Sequence, residues 1–272
     1  VKARWLLLAC CAASSVALAD DGDPITAAAT AEERVVLGHL DKEELIKARD
    51  AAEAVLAKDP RSLIATWAMA RIQHDEEGNH ARALFYIHKA EGLLDARFPD
   101  AVAWDKRLRL EEFWIDSEMD RMADALEVLD RADAKFGKSE ESRRIWPLVK
   151  LGRWAEARAL GTQLTTSSDE WDRAQAFNGM LSLEFEAHDR DATYKWALGA
   201  IDATRGKDCT ILRNAAGCAY VRFKLREAEE LGLRAHEAGD TSCDGQGYDQ
   251  LAGLYLNEGE FQKALAALKS FK

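Results

Sequence analysis

One arrangement recurs along this chain and limits what it can fold into. An alanine is followed four places on by a second residue and seven places on by a third. It reads Ala48-Ala52-Val55, Ala83-Ile87-Ala90, Ala125-Leu129-Ala132, Ala157-Gly161-Leu164, Ala192-Trp196-Gly199, Ala228-Gly232-Ala235 and Ala264-Leu268-Phe271. The leading alanines are 35, 42, 32, 35, 36 and 36 residues apart. Positions i, i+4 and i+7 share one face of an α-helix, so each triplet predicts one packing stripe. A small residue at its head lets a neighbouring helix come close. Three places earlier stand Leu45, His80, Met122, Trp154, Asp189, Leu225 and Phe261, apolar in five of the seven cases. A period of this size predicts stacked small units in place of one or two globular domains.

Composition agrees with helices. Four prolines and 17 glycines in 272 residues are too few for a β-sandwich or barrel, which needs a turn signal every 8–12 residues or so. A hydrophobic fraction of 47% beside 31% charged residues fits a folded chain and not a disordered one. The net charge of −11 argues against nucleic acid as a partner, because phosphate binding needs a basic face.

The last unit is the most telling. Tyr248-x-x-Leu251-Ala252-x-x-Tyr255 is followed by Gly259, Phe261, Ala264 and Leu268. This resembles the tetratricopeptide repeat, an aromatic-x2-Leu-small-x2-Tyr helix, a turn, then Ala-x3-large. The second unit keeps Trp67, Gly78, Ala83 and Ala90, with Arg71 and His74 off the pattern; Gly152-Arg153-Trp154-Ala155-Glu156-Ala157 supplies the turn of the fourth. Pro60 and Pro99 fall at repeat ends, where a proline can stop a helix. Pro147 does not, which predicts a kinked or shortened first helix there. The third unit is about eight residues long for the family, predicting an extended helix over Trp104–Met119.

The resemblance implies an all-α fold: a right-handed superhelical α-solenoid of about seven antiparallel helix pairs over residues 31–272. Such proteins hold an extended peptide or a partner helix in a concave groove lined by the first helix of each pair. Counting back from the leading alanines places Arg107, Leu110 and Trp114 there from the third unit, and Trp146 and Lys150 from the fourth. Phe177, Leu181 and Phe185 follow from the fifth, Arg213 and Tyr220 from the sixth, Asp249 and Leu256 from the seventh. Several of these positions also suit packing between repeats. The paired Lys and Asn set with which chaperone-binding members clamp a terminal carboxylate is not assembled. An array of this kind normally ends in a solvating helix, so the apolar end at Phe271 is a candidate surface for self-association or a partner.

The N-terminus reads as an address. Lys2 and Arg4 precede the apolar run Trp5–Val16, and Ala17-Leu18-Ala19 offers a cleavage site ahead of Asp20. Residues 1–19 are the expected secretory signal peptide, and 20–30 an acidic, alanine-rich linker. The run falls well short of the ~20 residues a bilayer span needs. Cleavage would move the net charge from −11 to −13 by removing Lys2 and Arg4. The expected location is periplasmic or secreted. Leu7-Leu8-Ala9-Cys10 also resembles a lipobox, which would make the chain an outer-membrane lipoprotein through Cys10.

Cys209, Cys218 and Cys243 remain after that cleavage. Cys218 lies among apolar residues and is expected to be buried. Cys209 and Cys243 sit in equivalent connectors 34 residues apart, a candidate disulfide in an oxidising compartment if the loops adjust.

Chemistry is sparse. None of the usual zinc-protease, Cys-x-x-Cys, Gly-x-Ser-x-Gly or phosphate-loop patterns occurs, so no catalytic residue, cofactor or metal is assigned. His74-Asp-Glu-Glu-Gly-Asn-His80 looks metal-like in isolation, but in the repeat register it spans the turn between two helices, and its carboxylates read as a solvated turn. Asp240–Gly245 copies the first half of a calcium loop and fails at its twelfth position, Leu251, where a bidentate glutamate is needed. The sequence thus points to a non-catalytic interaction module, a scaffold or adaptor. The alternative is a lipid-anchored subunit of an envelope assembly or secretion complex, and less favoured is a metal-dependent enzyme or binder.

Overall fold

The computed structural model describes residues 24–138, 140–238 and 246–270, apart from the side chains of His236, residues 246–250 and Ser270. After a short α1 (Pro24–Ala27), the described residues form seven helix pairs and no strands. The chain divides near residue 139 into two units. The N-terminal unit holds α2 (Ala31–Leu40) with α3 (Leu45–Lys58), α4 (Leu63–Asp75) with α5 (His80–Arg97), and α6 (Val102–Glu118) with α7 (Met122–Phe136). The C-terminal unit begins with a 3-10 turn (Glu141–Arg144) and α8 (Ile145–Lys150), paired with α9 (Trp154–Leu164). It continues with α10 (Glu170–Glu186) and α11 (Arg190–Ala203), α12 (Cys209–Val221) and α13 (Leu225–Glu237), and α14 (Gln246–Asn257) and α15 (Phe261–Ser270). The fold is an all-α solenoid of stacked pairs. Pro147 does cut a first helix short: α8 has six residues behind a 3-10 turn. The long third unit is accommodated by the 17-residue α6.

A single backbone device repeats at each intra-pair turn. Two residues before every second helix stands a left-handed residue: Glu43, Gly78, Asp120, Gly152, His188, Phe223 and Gly259, with φ between 56° and 77°. Glycine fits that region without strain, whereas a bulky L-residue such as Phe223 is an outlier in it. The next N–H closes a Schellman-type bond to the carbonyl five residues back: Glu44 to His39, Arg121 to Asp116, Arg153 to Leu148, Asp189 to Glu184, Lys224 to Ala219 and Glu260 to Tyr255, at 2.8–3.0 Å. The second pair departs: there Asn79 donates to Gln73 O, six residues back, at 2.7 Å.

The head of each buried stripe lies five residues after the left-handed one. That corrects the fifth triplet: α11 buries Thr193, Ala197 and Ala200, one place after Ala192-Trp196-Gly199, which are only half-buried. Thr193 heads the stripe there in place of the alanine found in the other six, and Ala192 just before it imitates that alanine.

The N-terminal unit is centred on α4, whose residues 63–70 are buried on every side against α2, α3 and α5. The Trp67 and Trp104 rings meet edge-on at 5.3 Å. In the C-terminal unit the cores are smaller-grained. Alanines 197, 215, 219, 228, 235, 252 and 264 are buried together with Leu212, Leu231 and Leu251.

Candidate functional site

First helices carry the predicted groove residues, and burial separates them into classes. Leu181 and Arg213 are each only 3% exposed, so neither offers a surface to a partner. Leu181 belongs to the core shared by α11 and α12, because α10 is buried on most of its circumference. Trp114 is half-buried against Phe113 (ring centroids 5.0 Å) and the α7 stripe. Phe177 is also half-buried. Its ring lies 5.6 Å from that of Trp196 and over Gly199, where a Cβ would stand 2.4 Å from it, so it packs α10 on α11. Tyr220 is half-buried against the C-terminal core. The side chain of Asp249 lies outside the described residues, as do Cys243, the Asp240–Gly245 loop, Phe271, Cys10 and the whole of residues 1–19. Cys218 is buried, as expected, and Cys209 is disulfide-bonded.

Trp146 on α8 is the predicted aromatic with the most polar setting. Lys150 Nζ sits 4.3 Å from its ring centroid, a cation–π contact, and donates to Glu186 Oε1 on α10 at 2.8 Å. The half-buried Phe185 is the neighbour of Glu186 in sequence. An aromatic, a cation and an anion thus lie on two successive first helices.

A second exposed feature is apolar. On α15, Phe261, Leu265 and Leu268 are 67%, 46% and 49% exposed, while Ala264 and Ala267 are buried. Leu268 stands where Ala52, Ile87, Leu129, Gly161 and Gly232 are buried, Gly161 and Gly232 against Met180 and Leu251 of the helix that follows each.

Two clusters among the described residues could hold a metal ion, both in the N-terminal unit. In the first, His74 near the end of α4, His80 at the start of α5 and Glu118 at the end of α6 bring one ligand atom each within 4.8 Å of the others. His74 Nε2 is 2.8 Å from Glu118 Oε2, and His80 Nδ1 is 4.0 Å from the same oxygen. His80 Nδ1 is buried and has no hydrogen-bond partner. On the far side of the His74 ring, Nδ1 faces Asp75 Oδ1 at 3.3 Å, and Asp75 Oδ2 accepts from Arg71 at 2.9 Å. Burial pulls the His74 imidazolium down, but the hydrogen bonds and charges of Asp75 and Glu118 outweigh it and push it up to about 10. Sequence reading found the two histidines and took their segment for a solvated turn. It missed Glu118, which comes from the next pair, 38 residues beyond His80.

The second cluster is His88, Glu91 and Glu112. Here His88 Nε2 lies 2.9 Å from Glu112 Oε1, but Arg131 already donates to Glu112 Oε2 at 2.8 Å. An arginine in the ligand sphere satisfies the carboxylate and repels a cation.

No family model and no curated protein matches this sequence. Solved structures do resemble it. A tetratricopeptide repeat protein from Parabacteroides merdae ATCC 43184 superposes with a TM-score of 0.55 at 14% identity, over 88% of this chain and 90% of that one. PilW, described as a widely conserved type IV pilus biogenesis factor, gives 0.54 at 14% identity over 78% and 94%. IFIT1, a monomeric mutant bound to m7Gppp-AAAA, gives 0.52 at 12% identity over 88% of this chain and 58% of that one. The fold is that of a tetratricopeptide-repeat protein. At such identities the likeness carries the architecture and nothing of those proteins' tasks. In a tetratricopeptide-repeat fold, shared residues are packing residues, so side chains outside the stripes decide what a given array binds. Among the described residues no helix is long and apolar enough to cross a membrane.

Proposed function

We propose that this chain is a non-catalytic interaction scaffold working outside the cytoplasm, which holds a peptide or a partner helix along the first helices of its pairs. The observation that carries this reading is the trio Trp146, Lys150 and Glu186. It offers an aromatic face with both charges beside it on two adjacent first helices, the composition of a recognition anchor. The tetratricopeptide-repeat fold supports protein partners in general. The disulfide at Cys209 agrees with an oxidising compartment, as does the leader-like segment before Asp20. The intended pairing is Cys209 with Cys243.

Cross-linking of the native envelope fraction, with the cross-linked residues mapped by mass spectrometry, tests the reading. Wild type is compared with Trp146→Ala/Phe185→Ala and with Lys150→Glu, a change at an exposed site. One discrete partner, cross-linked near α8 and α10 and lost in both variants, is the expected result. A partner retained by both variants would remove the groove from consideration. The intact mass of the mature chain reports the location: cleavage after Ala19 leaves Asp20 first, and acylation would be seen on Cys10.

A second reading rests on the apolar stripe of α15, which suits end-on self-association or a partner helix. Leu265→Glu/Leu268→Glu should then abolish any dimer seen by light scattering and leave the Trp146 site intact.

A further inference from the structure

We propose that His74, His80 and Glu118 form a binding site for a transition-metal ion of the zinc class. The three ligand atoms come from three helices and converge within 4.8 Å. In a tetrahedral zinc site with Zn–N and Zn–O near 2.0–2.2 Å, ligand atoms stand roughly 3.3 Å apart. The observed 2.8 Å and 4.0 Å separations to Glu118 Oε2 straddle that figure, and all three ligand atoms lie within 4.8 Å of one another, so rotations of the Glu118 and His80 side chains would complete the geometry. Both imidazoles present a nitrogen to one point, which favours zinc, cobalt or nickel over calcium and magnesium, whose preferred ligands are oxygens.

Three further features fit a metal and not merely a turn. His80 Nδ1 is a buried acceptor or donor that no protein group satisfies, a rarity that a ligand would resolve. Asp75 holds Nδ1 of His74, leaving Nε2 for the ion, and Arg71 in turn holds Asp75. This is the carboxylate–histidine order that orients zinc ligands and raises their basicity. His74 and Glu118 also lie at the C-terminal ends of α4 and α6, where the partial negative charge of the helix favours a cation. The one described intra-pair turn closed by a bond six residues back in place of five lies between the two histidines. The cluster at His88 lacks these features, because Arg131 occupies its central carboxylate.

With three protein ligands, the fourth position is left to water or to a donor from elsewhere. The ion would tie the second pair to the first helix of the third. Imidazoles bind zinc in their neutral form, so uptake weakens as pH falls.

The test uses the full chain, stripped with a chelator and titrated with zinc against a chromogenic competitor. One zinc per chain is expected, undisturbed by excess calcium or magnesium. His80→Ala and Glu118→Gln should each weaken binding by about 100-fold or more. Asp75→Asn should weaken it by about 10–100-fold, as loss of an orienting carboxylate does. His88→Ala should leave it unchanged. Zinc should also raise the thermal midpoint of the wild type and not of His80→Ala. His80 lies 29% exposed at the edge of the fold, so its variant remains a fair test should Glu118→Gln unfold the repeat. Failure of the wild type to take up one zinc, or equal affinity in His80→Ala, would overturn the site.

Discussion

The two units reach the same repeat geometry by different means. In the N-terminal unit the first helix of the third pair buries three acids, Asp105, Glu112 and Asp116, each under 5% exposed. Lys135 and Arg109 pair with Asp105, Arg131 and His88 with Glu112, and Arg121 with Asp116. Every described glycine there has open space where a Cβ would stand. Among its described residues the C-terminal unit buries one acid, Glu184, held by Arg158, one cation, Arg213, and otherwise neutral amides and hydroxyls such as Asn178 and Asn214, joined at 3.0 Å. Most of its described glycines inside helices are filled by neighbours: Gly161 by Met180, Gly179 by Ile145, Gly199 by Phe177 and Gly232 by Leu251, with Gly253 open. One unit therefore depends on charge balance across helices, and the other on close approach of backbones.

Hydrogen exchange read peptide by peptide on the full chain can break that contrast. The largest effect is expected from Arg131→Ala, which strands the buried carboxylate of Glu112. Loss of one partner of a buried ion pair costs about 3–5 kcal/mol. Protection should fall in the N-terminal unit; an equal fall in the C-terminal unit would mean that the two unfold as one. Reduction of the Cys209 disulfide should act the other way, lowering protection in the C-terminal unit by about 2–4 kcal/mol and leaving α4–α7 unchanged. The same comparison fixes its partner, since Cys243→Ser should mimic the reductant.

Glycine substitutions sharpen the contrast further, because one chemical change should have opposite signs. An alanine Cβ at Gly179 would meet Ile145 Cγ2 at 2.6 Å and Cβ at 3.0 Å. Ile145 is β-branched and fully buried, so it has little room to turn. Overpacking of about 1–3 kcal/mol exceeds the ~1 kcal/mol that alanine gains over glycine inside a helix. Gly92 lies exposed in α5 with nothing within 4 Å, so Gly92→Ala should stabilise by up to about 1 kcal/mol. Equal signs in thermal denaturation would refute the packing account. Phe223→Gly should also stabilise, by about 1 kcal/mol, since it releases a left-handed backbone at a residue 82% exposed.

Much of this architecture was legible in the sequence, because the stripes are periodic and local. The alanine triplets located six of seven second helices in register, and Pro147 announced the shortened α8. The fifth register was not legible, because Thr193 heads that stripe and the alanine that marks the other six stands one place before it. Site residues fared worse, for a physical reason. Groove positions were inferred from helical phase alone, yet α10 and α12 are enclosed on most sides, which buries Leu181 and Arg213. Glu118 joins His74 across 44 residues, a contact that no local spacing encodes. Phase tells which side of a helix faces a neighbour; it does not tell which neighbour arrives.

The contrast between charge balance and close packing should also appear as a difference in pH response. Burial, then repulsion from Glu112, lifts the Glu91 carboxyl above its ordinary 4.5. One of its oxygens is buried without a hydrogen-bond partner. The folded chain therefore holds that proton more tightly than the unfolded chain. The associated stability is fully present below pH 4.5 and is lost as pH rises through the folded value. Glu91→Gln removes the ionisation, so it should stabilise the N-terminal unit near neutrality by an amount that shrinks below pH 4.5. In the C-terminal unit the Tyr255 hydroxyl donates to Glu229 at 2.7 Å. Burial and that carboxylate push the phenol up to about 12 from its ordinary 10. Stability from this group persists up to pH 10 and disappears as pH rises toward 12. Tyr255→Phe should cost about 1 kcal/mol at neutral pH and nothing further in the alkaline range. Urea titrations of both variants from pH 3 to 12, read by exchange in each unit, separate the two limbs. If Glu91→Gln shifted the C-terminal unit as much as its own, the charge layer would be acting on the whole array, and the division of labour between the units would fall.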